Sequence, residues 1–555
     1  MADGPKTTGL GKLLTLMMII GLAGLGTFLI VRGGSDEAKP VEPTVAVNEE
    51  AAAAPVEGLI ESETAVPRLE GAGTYTPVNN TVVVELSEYA GYAGLIVANG
   101  GLKPSEDSYF FTQHGFKVEI KLSEEESWSA LNAGRIGVSA TTVDVLAVYG
   151  KQLNVVVPAQ IGFSRGADGL VVRQEIRRLN DLKGKVVLAS QFTEAEFFLR
   201  YLAQEAGIPV KTVLDEAAPL DPEAIHLRFA EDAFVAGDVF LADLQGAGSF
   251  AGVLTWEPKT SEVIEGSGGK ARLLTSNKNL LVVADILLVN RGFAEASPAM
   301  VQGLVDGLLH GNRLVRDQQT AQLPVIASAF GWTPAEAQAE LAKVHLSNLP
   351  ESQAFFSGAI DMAGSFGGIY QLAVYAYGRE LIRDAVDSAR FLDGAALTAL
   401  EAAGTYKEQQ ISIAPIRQAQ GTVEQDPLLS KDIRFLFEPN SEKLDMQDPG
   451  NLERLADLKR LLQLSPGSTI LLRGHVDDSL VAEFRAKGGE AFVRQMALKA
   501  VDLSRSRAVA VEGAVVEVHK VDEQRIETVG LGWDEPIGRD PEQNRRVEVQ
   551  WFTVE

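Results

Sequence analysis

The 555-residue chain contains no cysteine and only six histidines. The absence of cysteine excludes disulfides, thiolate zinc sites, iron–sulfur clusters and a cysteine nucleophile. The histidines form no HExxH or HxH pair, which argues against a histidine metal centre, whereas oxygen-only Ca²⁺ or Mg²⁺ sites stay open. The chain also lacks the GxSxG and GxxxxGK[ST] patterns of serine hydrolases and P-loop proteins. We therefore expect neither an enzyme nor a bound cofactor.

Basic runs are also missing. The chain carries 50 Lys and Arg against 75 Asp and Glu, a formal net charge of −25. Phosphate binding needs concentrated Lys and Arg, so nucleic acid is not an expected partner. The apolar fraction of 46% is ordinary for a folded protein. At roughly 100–200 residues per domain, the length predicts three to five domains.

One long apolar run lies near the N-terminus. Residues 13–31 (LLTLMMIIGLAGLGTFLIV) carry no charge, and as a helix they would span about 28 Å, close to a membrane core. Lys6 and Lys12 precede the run, which favours a cytoplasmic N-terminus at 1–12 and an exported remainder. We expect an uncleaved single-pass transmembrane anchor, and a cleaved signal peptide is the alternative.

Residues 32–80 are rich in Pro, Ala and Glu and show no sustained periodicity. Prolines favour extended backbone, and acidic, weakly apolar segments do not bury enough surface to fold. The composition predicts a disordered acidic linker.

From residue 81 onward, short apolar runs alternate with helical patterns. Five runs have the composition of strands: Thr81–Leu86, Phe116–Leu122, Ile136–Ala140, Leu153–Ile161 and Lys185–Leu188. Amphipathic stretches at Glu124–Ala133 and Glu194–Ala206 lie between them. This alternation predicts doubly wound α/β units with a mainly parallel sheet. Ligands of such units bind beyond the carboxyl ends of the strands.

Residues 81–420 resemble the periplasmic substrate-binding proteins of the nitrate, sulfonate and taurine type. The resemblance lies in the order of several short segments: YAGY at 89–92, ALNAGRIGV at 130–138, GADGLVV at 166–172, LNDLKGKVV at 179–187 and TWEP at 255–258. It implies a two-lobed (type II) α/β clamp that closes around a small polar or anionic solute and delivers it to an ABC permease.

Eight residues are candidates for contacts with such a solute, because they follow strands or open helices in these segments: Tyr89, Tyr92, Thr141, Thr142, Asp168, Gln191, Phe192 and Trp256. Hydroxyls and backbone N–H groups at helix N-termini suit an anionic or strongly polar ligand. Ordinary helix caps are the alternative for the threonines, and a turn-forming role is the alternative for Asp168.

Residues 429–555 change character. Strand patterns at Ile433–Phe437, Thr469–Arg473 and Arg525–Gly530 alternate with helical patterns. Four ordered segments, GHVD at 474–477, LSRSRA at 503–508, GLG at 530–532 and NRRVE at 544–548, resemble the OmpA-like peptidoglycan-binding domain. The resemblance implies a second, C-terminal α/β domain.

The resemblance also implies a peptidoglycan site for diaminopimelate in the stem peptide. Diaminopimelate presents an ammonium and a carboxylate on one carbon, and Asp477 and Arg507 would pair with them. Asn440 is a further candidate contact. The two charged residues are thirty positions apart, and the alternative is an internal salt bridge between them.

Together these segments predict a solute-binding protein that is anchored in the bacterial inner membrane by one helix, lies mostly in the periplasm and is attached to peptidoglycan. The alternative is a structural or signalling tether between membrane and cell wall, in which the clamp senses a ligand rather than transporting it.

Overall fold

The computed structural model describes residues 57–123, 127–215, 217–246, 248–278, 280–358, 365–413, 429–464 and 468–552. These residues belong to one compact unit, Val56–Glu555. The predicted transmembrane anchor at 13–31 and the linker up to residue 56 lie outside the described residues. Within the described ranges, no helix combines the length and the hydrophobicity needed to cross a bilayer.

The strands of the described ranges form three sheets. In chain order they are β1 (Thr81–Leu86), β2 (Lys117–Leu122), β3 (Val138–Thr142), β4 (Val155–Val156), β5 (Gln160–Ser164), β6 (Asp168–Arg173), β7 (Val186–Ser190), β8 (Val210–Thr212), β9 (Ile225–Ala230), β10 (Gly252–Trp256), β11 (Ala271–Ser276), β12 (Ala284–Asn290), β13 (Val344–Leu346), β14 (Leu429–Leu436), β15 (Thr469–Gly474), β16 (Ile526–Gly530) and β17 (Arg546–Phe552).

Helices cover these sheets. The α-helices that the structure describes are Ala93–Asn99, Tyr109–His114, Trp128–Asn132, Val143–Tyr149, Glu194–Glu205, Ala233–Asp243, Lys259–Gly266, Arg291–Ala296, Pro298–Asp317, Gln319–Phe330, Pro334–Leu341, Leu349–Ser357, Phe366–Leu381, Ala395–Ala403, Pro449–Leu464, Val481–His519 and Pro541–Asn544. Short 3₁₀ helices lie at Ala90–Tyr92, Leu179–Leu182, Ser388–Phe391 and Glu523–Arg525.

Two sheets make the two lobes of the middle region. The first has the order β13-β5-β12-β3-β1-β2, with β4 paired to β12, and the second has the order β11-β6-β10-β7-β9-β8. This agrees with the predicted two-lobed α/β architecture. The sheets are mixed rather than mainly parallel, because β12 runs antiparallel to β3, β4 and β5, and β6 runs antiparallel to β10 and β11. β6 and β12 are the first strands that the chain forms after it passes from one lobe to the other, and this passage sets their direction.

The chain crosses between the lobes twice within this pair of sheets, after β5 and after β11. Asn277, on the second crossing, joins the two crossing segments. Its side-chain oxygen accepts from Gly166 N at 2.7 Å, and its Nδ2 donates to Asp168 Oδ2 at 2.6 Å. Asn277 is completely buried. The start of β6 is therefore fixed by hydrogen bonds from the neighbouring crossing segment.

A close helix contact fixes the segment after β1. Helix Ala93–Asn99 packs on helix Pro298–Asp317, and a Cβ placed on Gly311 would lie 1.8 Å from the carbonyl oxygen of Gly94. Only glycine permits this approach, because any side chain would separate the backbones.

Residues 57–80, which we call the strap, do not form the disordered linker that we expected at this end of 32–80. Ile60 N donates to Phe229 O at 3.1 Å on the second lobe, and Glu70 forms a bidentate pair with Arg135 on the first lobe, at 2.6 and 2.7 Å. Tyr75 is buried against Phe293 with ring centroids 5.3 Å apart. The composition was misleading because a few anchoring side chains hold an otherwise polar segment against both lobes.

The C-terminal region is a separate four-stranded sheet with the order β14-β17-β15-β16. β15 and β16 are parallel, and β17 is antiparallel to both β14 and β15. The long helix Val481–His519 is broken at Gly488 and Gly489, where the backbone leaves helical geometry. This break lies between Asp477 and Arg507 in the sequence.

The C-terminal region contacts the second lobe. Arg460 Nη1 lies 2.8 Å from Oε1 of Glu205, a completely buried carboxylate at the end of helix Glu194–Glu205. This ion pair stabilises the contact between the two regions, because separating them would leave the buried Glu205 carboxylate without the charge of Arg460.

Candidate functional site

A cavity of about 260 Å³ lies between the two lobes. The first lobe supplies side chains after β1 and β3, and the second supplies side chains after β7, β9 and β10. The strands β6 and β12 contribute residues from their first positions. Because these strands are antiparallel to their neighbours, they begin at the edge where the neighbouring strands end. The cavity thus occupies the edge at which α/β sheets bind ligands.

Seven of the eight candidate solute contacts line this cavity: Tyr89, Tyr92, Thr141, Thr142, Asp168, Gln191 and Trp256. Phe192 does not line it. Phe192 is buried, its ring centroid lies 6.4 Å from that of Tyr149, and its backbone N donates to Glu196 Oε2 at 2.7 Å. The tight turn there has a φ of 61° at Phe192, which directs this ring into the core while Gln191 lies on the cavity wall.

The lining contains further residues that are not among the eight candidates. They are Ser87, Trp128, Tyr149, Ser164, Ser190, Thr193, Glu194, Glu231, Asp232, Val283 and Asp285. Asp285 had a sequence signal, since it is a lone carboxylate within the apolar run LLVVADILLV at 280–289. A charged residue at such a position is buried and needs a structural or functional explanation.

Asp285 and Asp168 meet in the cavity wall. Asp285 Oδ1 accepts from the Tyr92 hydroxyl at 3.2 Å, and Asp168 Oδ2 accepts from Ser164 Oγ at 2.5 Å. Burial raises the pKa of Asp285 well above its ordinary value, and the negative charge of Asp168 raises it further. Burial also raises the pKa of Asp168 to about 6, although hydrogen bonds from Ser164 and Asn277 lower it.

The threonines do not act as side-chain caps. Thr142 and Thr193 occupy the N-cap positions of their helices, yet neither side chain accepts the capping hydrogen bond. The buried Thr141 hydroxyl has no hydrogen-bond partner within the described ranges. Gln191 is shared with the strap, since its Nε2 donates to Glu63 O at 2.8 Å and its Oε1 accepts from Glu63 N at 2.9 Å.

The charge of the lining differs from that of an anion site. No Lys, Arg or His is among the described residues of the cavity wall, whereas five residues are acidic. The buried Arg200, on helix Glu194–Glu205, lies 2.7 Å from Glu196 and so is already paired. The expectation of an anionic solute therefore lacks the positive partner that it requires.

In the C-terminal region, Arg507 lies inside the fold. Its Nε, Nη1 and Nη2 donate to the backbone carbonyls of Ser441, His475 and Glu438 at 2.8, 3.0 and 3.0 Å. The residue is completely buried, and burial lowers its pKa to about 10. Arg507 therefore ties the loop after β14 to the end of β15.

Asp477 pairs with Arg545 rather than with Arg507. The distance from Arg545 Nη1 to Asp477 Oδ2 is 3.5 Å, and both side chains remain partly exposed. Burial raises the pKa of Asp477, but hydrogen bonds from Ser479 and the charge of Arg545 outweigh it and leave the pKa below its ordinary value. Arg545, in the NRRVE segment, was not among the peptidoglycan contacts expected from the sequence.

Asn440 lies in the same loop as the carbonyls that Arg507 binds. It is exposed, with a φ of 56°. Glu438 and Ser441, on either side of Asn440 in sequence, contact Arg507 through their carbonyls. Arg545, the partner of Asp477, lies beside the same loop, because its Nε donates to Phe437 O at 3.3 Å.

The C-terminal region is similar to proteins of a known family. Residues 436–550 match the OmpA family, which confirms the resemblance stated for the C-terminal region. The chain is 25% identical over 130 residues to outer membrane protein Omp38 of Acinetobacter baumannii, an alignment covering 23% of this chain. The chain spans about a third (32%) of the length of that curated relative.

Solved structures similar to the chain include alkanesulfonate-binding proteins named SsuA. The protein from Xanthomonas axonopodis pv. citri, bound to MOPS, is 17% identical and has a TM-score of 0.42, and the alignment covers 57% of this chain and 99% of that chain. The periplasmic aliphatic sulphonate-binding protein of Escherichia coli is 16% identical, with a TM-score of 0.42 and coverage of 58% and 100%.

Proposed function

We propose that the protein is a periplasmic solute receptor that is fixed to peptidoglycan by its C-terminal domain. The observation that carries the proposal is the polar and aromatic cavity between two α/β lobes, in the same chain as an OmpA-family region. Small-molecule sites are concave and lie at such lobe and strand-end junctions.

The lobes are joined in a way that suits closure around a ligand. The two crossing segments lie side by side, and Asn277 links them directly beneath the cavity residue Asp168. Rotation of one lobe about two short crossings changes the cavity without disturbing either sheet, which is the geometry of a hinge. Captured solute would then be passed to an ABC permease.

For the wall-binding role, we infer that Asp477 takes the ammonium of diaminopimelate. Arg545 is the accessible cation beside it, and Arg507 adds positive charge from within the fold. A partly exposed carboxylate and guanidinium 3.5 Å apart match the ammonium and carboxylate of an amino-acid centre.

The N-terminal part of the proposal rests on residues 13–31 alone, which we assign as the inner-membrane anchor. A reporter enzyme fused to either side of this run tests the orientation, and mass spectrometry of the mature N-terminus distinguishes an anchor from a cleaved signal.

The alternative function, a sensor that bridges membrane and wall, is favoured by one feature. The strap binds both lobes, at Gln191 on one and Arg135 on the other, so closure moves the segment that leads to the N-terminus. Uptake by a strain lacking the gene separates the two functions. Loss of solute uptake supports the transport receptor, whereas normal uptake with retained solute binding supports the sensor.

A further inference from the structure

The charged side chains that the structure describes in the cavity wall are all acidic. These residues come from both lobes: Asp168, Glu194, Glu231, Asp232 and Asp285. No described residue of the wall carries a positive charge. Opposite charges attract strongly where water is excluded, and like charges repel there. A bound anion would add to the repulsion, whereas a bound cation would relieve it.

Buried acceptors in the wall lack donors. Asp285 is only 2% exposed, and its Oδ1 accepts from Tyr92. The Tyr89 hydroxyl also acts on this carboxyl as a donor and lowers its pKa, but Oδ2 accepts no hydrogen bond of normal geometry within the described ranges. A buried polar atom without a partner costs free energy, so it marks a place where a ligand donor fits. This acceptor points to N–H or O–H groups on the solute.

Five aromatic side chains also line the cavity. They are Tyr89, Tyr92, Trp128, Tyr149 and Trp256. The Tyr89 and Tyr92 rings are perpendicular, with centroids 5.2 Å apart, so they form a corner of the cavity. Aromatic faces attract organic cations, most strongly when the cation is desolvated.

A metal ion does not fit the same features. Across the described parts of the chain, no three acidic or histidine side chains converge closely enough to hold one. A hydrated divalent ion would also gain little from aromatic walls, because hard cations prefer oxygen ligands.

We propose that the cavity binds a small organic cation that carries N–H donors, of the alkylammonium or guanidinium class, with Asp285 and Asp168 as its anionic partners. This inference rests on the proposed function as a solute receptor and names the class of its solute. The volume of about 260 Å³ limits the solute to a small molecule.

Putrescine and agmatine are suitable probes, with choline as a cation without N–H donors and ethanesulfonate as an anion. Titration of the full chain with each probe is followed by calorimetry and by the fluorescence of Trp128 and Trp256. We expect putrescine or agmatine to bind, choline to bind at least about tenfold more weakly, and ethanesulfonate not to bind.

Two variants locate the site. Asp285→Asn keeps the shape of the side chain and should weaken binding by about tenfold or more, because it removes the charge beside the ligand. Asp238→Asn removes the same charge from an exposed position that pairs with Lys259 and should change the affinity by less than about twofold.

The outcomes separate this inference from the function on which it rests. Ethanesulfonate binding in the cavity, or choline binding more tightly than the amines, overturns the assignment of the solute class and leaves the receptor function in place. Absence of binding by all four probes, with no solute retained by the purified full chain, overturns both.

Discussion

The hydroxyl of Tyr92 donates to Oδ1 of Asp285 over 3.2 Å and joins the segment after β1 to the start of β12. The two residues are 193 positions apart. Their contact forms at the wall of the interlobe cavity, where Asp285 is buried without a positive partner from the described residues of that wall. The protein therefore keeps a carboxyl group that is costly to ionise at the position where the proposed solute would bind.

The first prediction concerns the free-energy cost of burying the Asp285 carboxyl group. Asp285→Asn should raise the stability of the ligand-free protein by about 0.5–2 kcal/mol at a pH where Asp285 is ionised, because a neutral amide is less expensive to bury than a carboxylate. Thermal unfolding of the full chain measures the change. Asp238→Asn, on the surface, is the control and should stay within about 0.5 kcal/mol. A destabilised Asp285→Asn protein that still binds its cation would show that Asp285 has a purely structural role.

The second prediction concerns pH. An organic cation pairs with ionised carboxyls, and the pKa of Asp168 is raised to about 6. Cation affinity should therefore fall as the pH drops through about 6, and binding near that pH should release protons. Calorimetry in two buffers with different ionisation enthalpies measures the release. Equal affinity at about pH 5 and about pH 8 would contradict the assignment of the carboxyls.

The groups that face these carboxyls come from several elements. Tyr89 and Tyr92 lie beside Asp285, and Asp144 approaches it from helix Val143–Tyr149. Ser164 and Asn277 hydrogen-bond Asp168. The remaining acidic groups of the wall are Glu194, Glu231 and Asp232. Because the folded pKa of Asp168 lies above its ordinary 3.8, the ligand-free protein should lose stability from this group as the pH rises from about 4 to about 6.

The third prediction separates folding from wall binding. Arg507→Ala empties a completely buried site and leaves three backbone carbonyls without their donor, so it should destabilise the C-terminal domain by about 3–5 kcal/mol. Asp477→Ala and Arg545→Ala remove partly exposed side chains and should leave the domain folded while peptidoglycan pull-down is lost. A folded, stable Arg507→Ala protein, or full pull-down by both other variants, would contradict this division of roles.

The fourth prediction tests the strap. Tyr75→Ala should destabilise the protein by about 3–5 kcal/mol, because it empties a buried site against Phe293. Tyr75→Phe keeps the ring and loses the hydrogen bond from Val83 N, so it should cost about 1 kcal/mol. Chemical denaturation of the full chain measures both. Equal, negligible effects would mean that residues 57–80 behave as the linker that their composition suggested.

The sequence was most informative where local patterns decide the structure. The predicted strand Thr81–Leu86 is β1 without a shift, and the predicted helix Glu194–Ala206 ends within one residue of the observed one. Apolar alternation and flanking turn residues suffice for such elements. In the C-terminal region, the predicted strand Thr469–Arg473 also matches β15 closely.

Local sequence patterns did not predict which strands pair when they are far apart in the chain. The antiparallel return of β12 beside β3 is set by tertiary packing, so the position of Asp285 opposite Thr142 had no local signal. The resemblance selected Arg507 rather than Arg545 as the wall contact, and no local pattern indicated that the fold buries Arg507 and leaves Arg545 partly exposed. The orientation of Phe192 depended on one residue with positive φ.

The most direct test of the account is native mass spectrometry of the full chain purified without denaturation, with identification of any molecule that it retains. We predict a small nitrogen-containing cation that is present at about one per chain and is absent from the Asp285→Asn variant. Retention of an anion, or equal retention of the same molecule by the variant, would contradict the account.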